Sequence, residues 1–314
     1  MLLRFMIKQA VEHLKPALEK SAATQSRAGL TLSIDNSVMD RFGKLLRCTW
    51  NWYSGRYHKV MHGQDLLGVV LTINQIALPL HLLFCAKQGR YNTNKADALI
   101  FMLSRLKAAF AREGIDLTKI PITMDSWFVS QPLRQRLHSG GFTKIIIAGK
   151  SHYTFTIDGK KQDASQWKKA LILHDSTWGI DVPSCRVHGD SPTFGSIILF
   201  FFQKSTTRSY YLMNFSTVAM RGAEIWHIWK QHHLIECFWK ILTSIFHIRA
   251  MRLQGHGLYT ALLIKVLAYV LALRLPAHRP FSKLTITQII RNLRRNHDLR
   301  DFITAHFHHT FSIT

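Results

Sequence analysis

The sequence predicts a mixed α/β fold in which helices flank a sheet and a β-rich segment is inserted before the last helices. Three patterns support this class. Apolar runs of strand length alternate with segments of helical period over residues 30–148. Residues 150–218 change to short alternating segments separated by glycine and proline, which is typical of antiparallel strands. From residue 222 the helical period returns, so the insertion separates two parts of one α/β layer.

The first part of the chain is predicted to begin with a helix, followed by several strands. Residues 1–29 have the pattern of a basic amphipathic helix that ends in a Ser/Ala/Thr-rich linker. The apolar run 30–34 then stops at Asp35. Further strands are predicted at 50–53 and twice within 66–86, where a central turn separates two buried runs.

Two helices and two more strands complete this part of the layer. Asn94 is predicted to cap a helix whose apolar residues repeat at helical spacing. The strand 120–124 ends on an acid, Asp125. A short helix over 132–138 and a buried strand over 144–148 follow, which indicates a mixed sheet with alternating helices.

The second half of the chain is predicted to contain a small antiparallel sheet, then helices. An apolar stripe that begins at Gly222 predicts one long helix, and a second, more buried helix is predicted over 258–275. The predicted domains are an N-terminal basic helical arm (1–29), an α/β domain (30–149 plus 219–275), a β-rich insertion (150–218) and a basic C-terminal tail (276–314).

The charge of the chain indicates a polyanionic partner. Its 314 residues include 41 Lys and Arg but only 18 Asp and Glu, a formal net charge of +23, and 47% of them are hydrophobic. Such a chain buries a core and is not disordered. Nucleic acid or an anionic membrane surface is the expected partner of so basic a protein. The four cysteines form no CxxC pair, which argues against a zinc site or a disulfide framework and for a reducing compartment.

Two apolar stretches have nearly the length of a membrane span. The first, 66–86, carries polar residues and a proline and is rich in β-branched residues, so two buried strands explain it better. The second, 261–275, is too short and contains Lys265 and Arg274, which suits a core helix. The expectation is therefore a protein that does not span a membrane.

Because acids are scarce, the position of each one is informative. Only five glutamates occur, and Glu236 lies in an apolar, aromatic segment where an unpaired carboxylate is costly to bury. Asp35 and Asp125 each follow a predicted buried strand, where α/β sheets place functional groups. Three converging carboxylates imply a divalent cation, and two Mg²⁺ or Mn²⁺ ions support phosphoryl transfer. An alternative interpretation joins Glu236 and Lys240 in an ion pair.

The ordered acids Asp35, Asp125 and Glu236 make the chain similar to the DDE transposases of bacterial insertion sequences. In that family the first Asp lies on the first strand of a ribonuclease-H-like sheet, here within Leu-Ser-Ile-Asp-Asn-Ser at 32–37. The second lies on the fourth strand, here within Ile-Thr-Met-Asp-Ser-Trp at 122–127. The Glu lies on the helix after a β-strand insertion, as Glu236 does here.

The family's catalytic helix carries Tyr, Arg, Glu and Lys at fixed spacing, and this chain keeps only the Glu. The corresponding positions hold Trp229, His232, Glu236 and Thr243, with Lys240 one turn beyond the glutamate. The resemblance implies DNA contacts by Trp229, His232 and Lys240. The basic cluster of the tail is interpreted either as a DNA-backbone contact or as a solvated face, and comprises Arg291, Arg294 and Arg295.

The resemblance implies a function that the residues alone do not. By themselves the acids predict metal-dependent cleavage or transfer of phosphodiesters. The family adds strand transfer, a double-stranded DNA partner (transposon ends and target), a homodimer in the synaptic complex and a bacterial cytoplasmic location. Alternatives are a metal-dependent nuclease with the same acids and a catalytically inactive, DNA-binding remnant of a transposase. Trp167 and Trp178 of the insertion are either sheet-packing residues or stacking partners of an unpaired base.

Overall fold

The protein is described by a computed structural model. The residues that it describes are 2–24, 30–40, 48–54, 57–73, 76–87, 94–173, 180–205, 208–251, 253, 255–275 and 284–295. The chain divides into two compact units. The first comprises Met1–Gly43 and Cys48–Cys237, and the second comprises Lys44–Arg47 and Phe238–Thr314.

The structure confirms the predicted mixed α/β class. The helices are α1 (Leu2–Thr24), α2 (Lys95–Ala111), α3 (Gln131–Ser139), α4 (Ala164–Ala170), α5 (Gly222–Lys230), α6 (His233–Ser244), α7 (Gly255–Arg274) and α8 (Ile286–Arg295). The strands are β1 (Leu30–Met39), β2 (Thr49–Ser54), β3 (Lys59–Ile73), β4 (Ile76–Cys85), β5 (Ile122–Met124), β6 (Ile145–Ala148), β7 (Thr154–Ile157), β8 (Lys160–Asp163), β9 (Ser184–Ser191), β10 (Gly195–Ser205) and β11 (Arg208–Asn214).

The described strands of the first unit form one mixed sheet in the order β2-β3-β1-β5-β6-β11-β10-β9-β7-β8, with β4 also paired to β3. At its centre β1 is antiparallel to β3 but parallel to β5, and β5 is parallel to β6. The inserted strands do not form a separate sheet, because β11 pairs antiparallel with β6 and extends the central strands. The insertion therefore builds directly onto the edge of the mixed sheet.

The 66–86 stretch folds as predicted, as two antiparallel buried strands with Ile73 opposite Ile76. The helix α1 packs with α2 against the strands of this part of the sheet. Its core-facing residues are Met6, Ile7, Ala10, Val11 and Leu14. Asn94 caps α2 as predicted, since its side chain accepts a hydrogen bond from the backbone amide of Asp97 at 2.9 Å.

In the structure, β1 is longer than the sequence indicates. The prediction that the strand stops at Asp35 is wrong, because β1 continues to Met39 and stays paired with β3, Met39 lying opposite Gln64. Only the parallel pairing ends here, since β5 stops at Met124 beside Ile34. Asp35 therefore lies where β1 loses one neighbour and keeps the other.

The prediction of one long helix from Gly222 is also wrong. The segment forms α5 and α6, separated by a turn at Gln231 and His232. Around this turn the amides of Gln231, His232, Leu234 and Ile235 bond to carbonyls three residues earlier instead of four. This tightening ends one helix and begins the next without glycine or proline, so hydrophobic periodicity does not reveal it.

The second unit contains α7 and α8, with Ile245, Ala272 and Ile290 in a shared apolar cluster. Among the described residues, one helical segment, His256–Arg274 in α7, is long and apolar enough to cross a membrane by length and composition. A core helix of a soluble protein passes the same test. About a third of this segment is buried, and Tyr269 packs edge-on against Phe238 with 5.1 Å between ring centroids.

Candidate active site

Asp35 and Asp125 lie side by side in the structure. The pairing of β1 with β5 sets Ile34 opposite Met124, and the residue after each of them is an aspartate: Asp35 on β1 and Asp125 directly after the end of β5. Neighbouring strands lie about 4.8 Å apart, and residues in register on parallel strands face the same side of the sheet. The structure thus brings together the two aspartates that the sequence singled out.

Each aspartate uses one oxygen in a local hydrogen bond. Oδ1 of Asp35 accepts from the backbone amide of Asn36 at 2.7 Å. Oδ1 of Asp125 accepts from the amide of Trp127 at 2.9 Å and starts a short 3₁₀ turn, Ser126–Phe128. These bonds fix the orientation of both carboxyl groups, and Oδ2 of each takes no part in them.

The charges of the acids affect one another. Burial raises the pKa of Asp35 well above its usual range, and the charge of Asp125 raises it further, as do those of Glu236 and Asp65. Burial also raises the pKa of Asp125, which the Trp127 amide and the side chains of Lys95 and Lys150 oppose. Asp125 and Glu236 are therefore both close enough to Asp35 for their charges to raise its pKa.

Glu236 lies in the first turn of α6 and is exposed, whereas its neighbours Leu234 and Ile235 are buried. The premise that its carboxylate is buried in an apolar segment is therefore wrong, because that face of α6 points away from the core. The alternative of an ion pair with Lys240 finds no support either, as no such pair occurs within the described part of the chain.

A buried polar contact ties the start of α6 to the two strands. His232 Nδ1 lies 3.0 Å from Thr123 Oγ1, which lies 3.2 Å from Ser33 Oγ. Helix α5 packs on the same part of the sheet through an apolar cluster that includes Ile146, Phe200 and Ile225. The helix pair is thus anchored next to the ends of β5 and β6.

The residues predicted to contact DNA lie in different surroundings. His232 is buried with 4% exposure and stacks on half-buried Trp229 with 4.6 Å between ring centroids, so it offers little surface to a phosphate. Lys240, Arg291 and Arg295 are exposed and belong to the second unit. The side chain of Arg294 lies outside the described residues, as does Trp178. Trp167 is buried and donates to the carbonyl of Phe155 at 3.0 Å, as a sheet-packing residue does.

Sequence reasoning missed a buried ion pair beside Asp35. Lys95 Nζ lies 2.8 Å from Asp65 Oδ2, and the two side chains are 4% and 0% exposed. The side chain of Asn36 donates to Asp65 Oδ1 at 2.6 Å, and the Lys95 ammonium lies 4.0 Å from the ring centroid of Trp127. The sequence does contain one signal for this pair: Asp65 is a carboxylate at the start of the apolar run of β3, where a buried partner is expected.

Lys150 is a second residue that the sequence did not single out. It follows β6, the third parallel strand, and its charge lowers the pKa of Asp125. The hydroxyl of Tyr211 donates to its carbonyl at 2.6 Å, and the Tyr211 ring occupies the space that a Cβ on Gly149 would need. Gly149 and Tyr211 therefore fix the backbone that carries this lysine beside the acids.

The donor set suits hard divalent cations. Carboxylate oxygens are the ligands that Mg²⁺ and Mn²⁺ prefer, and the repulsion that raises the pKa of Asp35 is what a bound cation would relieve. As the side chains stand, however, no group of three His, Cys, Asp or Glu residues among those described is arranged to hold a metal ion. Closure of Glu236 on the two aspartates would be needed to complete a three-carboxylate site.

The burial of His232 predicts a loss of stability in acid. Burial lowers its pKa from 6.5 to about 4, and the charge of His233 adds to this effect. As the pH falls from about 6.5 towards 4, the unfolded chain takes up a proton at this histidine that the folded protein does not. The free energy of unfolding should fall by at most about 3 kcal/mol over this window.

Urea unfolding of the wild type and of His232→Asn at pH 7, 6 and 5 measures this contribution. The asparagine keeps a hydrogen-bonding group but does not titrate, so the variant should lose less stability in acid. His227→Asn, at an exposed position of α5, is the matched control and should follow the wild type. If the free energy of unfolding falls with pH to the same extent in all three proteins, His232 is not held neutral by the fold.

The chain was compared with known sequences and with solved structures. No family model matches the sequence, and no curated protein matches it. A solved structure, the cryo-EM structure of a piggyBac transposase synaptic complex with hairpin DNA, superposes on this chain with a TM-score of 0.47 and 13% sequence identity. The match covers 87% of this chain and 56% of that one, so this chain spans little more than half the length of that transposase.

Proposed function

We propose that this chain is a DDE-type transposase that cleaves DNA at the ends of an insertion sequence and transfers the cut strand to target DNA in a metal-dependent reaction. The proposal depends mainly on one observation: Asp35 and Asp125 directly follow Ile34 and Met124, the last paired residues of two parallel strands, and the charge of Glu236 raises the pKa of Asp35. The expected location is the bacterial cytoplasm, and the expected working assembly on two DNA ends is a homodimer.

The order of the central strands also supports the proposal. Leaving aside the short β2, the first five strands along the chain are β1, β3, β4, β5 and β6. Asp35 lies on the first of these, Asp125 directly after the fourth, and Glu236 on a helix that follows the inserted strands. These are the positions that the acids take in the ribonuclease-H-like domain of the family that the sequence resembles.

The roles of the acids follow from their chemistry. Asp35 and Asp125 would hold the cations through their carboxylates, and Glu236 would complete the coordination of the second one. Two Mg²⁺ or Mn²⁺ ions, when bound, activate the attacking oxygen and stabilise the leaving oxygen of an in-line phosphoryl transfer. Water is the first nucleophile and the freed 3′-hydroxyl of the cut strand is the second.

Positive charge near the acids would hold the DNA. Lys150 is half-buried, lies two residues after the end of β6 and lowers the pKa of Asp125 through its charge, so it would contact the phosphate that reacts. Exposed Lys240, Arg291 and Arg295 of the second unit would contact the DNA backbone. With a net charge of +23, the affinity for DNA should fall steeply with added salt.

A second candidate function is DNA binding without catalysis. Two observations favour it: no three acids among the described residues are arranged to hold a metal ion, and His232 is buried where the family has an arginine. Both proposals predict salt-dependent DNA binding, so only an assay of cleavage and joining separates them.

The deciding experiment uses the purified full chain and labelled duplexes made from the DNA that flanks its gene. With a supercoiled target plasmid and Mg²⁺ or Mn²⁺, the transposase proposal predicts a nick at a fixed position and a joined product, both suppressed by a chelator. Cleavage without joining would identify a nuclease. Binding with neither product, in both metals, would overturn the enzymatic proposal in favour of DNA binding alone.

A further inference from the structure

Three buried polar side chains form a chain of contacts beneath the acids. Ser33 Oγ lies 3.2 Å from Thr123 Oγ1, and Thr123 Oγ1 lies 3.0 Å from His232 Nδ1. Ser33 and Thr123 have no solvent exposure, and His232 has 4%. We call Ser33, Thr123 and His232 the polar bridge.

Each member of the polar bridge precedes one of the acids in the sequence by two or four residues. Ser33 precedes Asp35 by two residues on β1, and Thr123 precedes Asp125 by two, so each pair shares a face of the sheet. His232 lies in the turn that leads into α6, and Glu236 follows it four residues later in the first turn of that helix. A short backbone segment therefore joins each member of the polar bridge to one of the acids.

The position of His232 is fixed from two sides. Its ring stacks on Trp229 with 4.6 Å between centroids and an interplanar angle of 13°, and Nδ1 points to Thr123. The amide of His232 bonds to the carbonyl of Trp229, and its carbonyl accepts from the amide of Ile235 at 3.2 Å. A shift of the ring would thus move the first turn of α6, which carries Glu236.

Buried polar contacts of this kind specify geometry more than they add stability. An apolar trio of similar size would fill this space without any need for hydrogen bonds, whereas each polar group here depends on its partner. Directional bonds between two strands and a helix allow one relative placement. The same is true of side chains that orient metal ligands in known sites, where their loss costs roughly 10–100-fold in metal affinity.

We propose that Ser33, Thr123 and His232 are positioning residues that set the separation of Asp35, Asp125 and Glu236, and thereby the affinity of the site for divalent cations. This inference rests on the proposed function, because it assumes that the three acids bind the metal. The polar bridge itself touches neither DNA nor metal.

The test measures Mn²⁺ binding to the full chain by electron paramagnetic resonance, in which free Mn²⁺ gives the signal. Thr123→Val keeps the shape and removes the hydroxyl, and His232→Phe keeps an aromatic ring and removes Nδ1. Both should weaken Mn²⁺ binding roughly 10–100-fold. His232→Asn retains a hydrogen-bonding group near Nδ1 and should restore the affinity to within a few-fold of the wild type.

Thr72→Val is the matched control for Thr123→Val. Thr72 is also a fully buried strand threonine, and its hydroxyl donates to the carbonyl of Thr31 at 3.1 Å. Its loss should lower thermal stability about as much as Thr123→Val but leave Mn²⁺ affinity within two-fold of the wild type. DNA affinity without metal should be the same for all these variants.

The outcomes separate this inference from the proposed function. Suppose that Asp125→Asn loses Mn²⁺ binding, as the proposed function requires. The positioning role is then overturned if Thr123→Val and His232→Phe bind Mn²⁺ as tightly as the wild type, or if Thr72→Val weakens Mn²⁺ binding as much as they do. If Asp35→Asn and Asp125→Asn bind Mn²⁺ as the wild type does, or the wild type binds none, the proposed metal site is wrong and the positioning role fails with it.

Discussion

Asp35→Asn is expected to abolish DNA cleavage and at the same time to stabilise the metal-free protein. Cleavage should fall by roughly 10³-fold or more, because the amide cannot supply the charge that holds a divalent cation. Asp125→Asn and Glu236→Gln should be similarly inactive. DNA binding without metal should be retained in all three, since the affinity comes mainly from the excess of lysine and arginine.

The gain in stability follows from the electrostatics of Asp35. Burial and the neighbouring carboxylates raise its pKa, so the folded state holds this proton more tightly than the unfolded chain does. The contribution of Asp35 to stability is therefore fully present in acid and is lost as the pH rises through its raised pKa. Asparagine mimics the protonated form, so at pH 7–8 the variant should gain about 1–2 kcal/mol.

Thermal melts with and without Mn²⁺ distinguish this effect from general stabilisation. Asp35→Asn should melt higher than the wild type without metal and should lose the further increase that Mn²⁺ gives the wild type. Asp116→Asn is a suitable control, because hydrogen bonds to Thr118 lower the pKa of Asp116 and the group has no metal role. Cleavage within ten-fold of the wild type in Asp35→Asn would remove Asp35 from the catalytic site.

Local patterns in the sequence predicted most of the central strands and helices. Strand pairs such as β3 and β4 are long apolar runs, and α2 has both a capping asparagine and a helical stripe, so each carries its own signal. The order of the acids along these elements was sufficient to predict that Asp35 and Asp125 converge. Their proximity depends on β1 pairing with β5, which is a long-range contact.

The features that sequence reasoning missed are long-range contacts or changes of backbone geometry. The extension of β1 to Met39 depends on the length of its partner β3. The turn at His232 depends on a contact with Thr123, more than one hundred residues away, and contains no breaking residue. The union of the inserted strands with the main sheet depends on β11 pairing with β6. No local window of the sequence contains both partners of these contacts.

The site itself was predicted as three acids, and the structure adds the charges around them. Lys95 begins α2 and Asp65 lies within β3, thirty residues earlier in the chain. Neither residue is unusual by itself in the sequence. Only the fold shows that the pair is buried, that Asn36 bonds to it, and that it lies next to the carboxylates of Asp35 and Asp125.

Asp65→Ala is expected to be among the most destabilising single substitutions in the protein. It leaves the ammonium of Lys95 buried without its partner, which typically costs about 3–5 kcal/mol. Asn36 loses a hydrogen-bond acceptor at 2.6 Å in the same step. Asp65→Ala should thus lower the free energy of unfolding, whereas Asp35→Asn should raise it, although the carboxylates of Asp65 and Asp35 are close enough to repel each other. The difference arises because Asp65 has a cation as its partner and Asp35 has other acids.

Urea unfolding of the metal-free protein measures this loss against two reference variants. Arg136→Ala breaks an ion pair with Asp97 in which the two side chains are 44% and 50% exposed. Its loss should lower the free energy of unfolding by less than about 1 kcal/mol. The double variant Asp65→Asn/Lys95→Met removes both charges and should recover much of the lost stability, because no uncompensated ion remains. If Asp65→Ala costs no more than Arg136→Ala, the buried pair does not hold β3 and α2 together beside the acids.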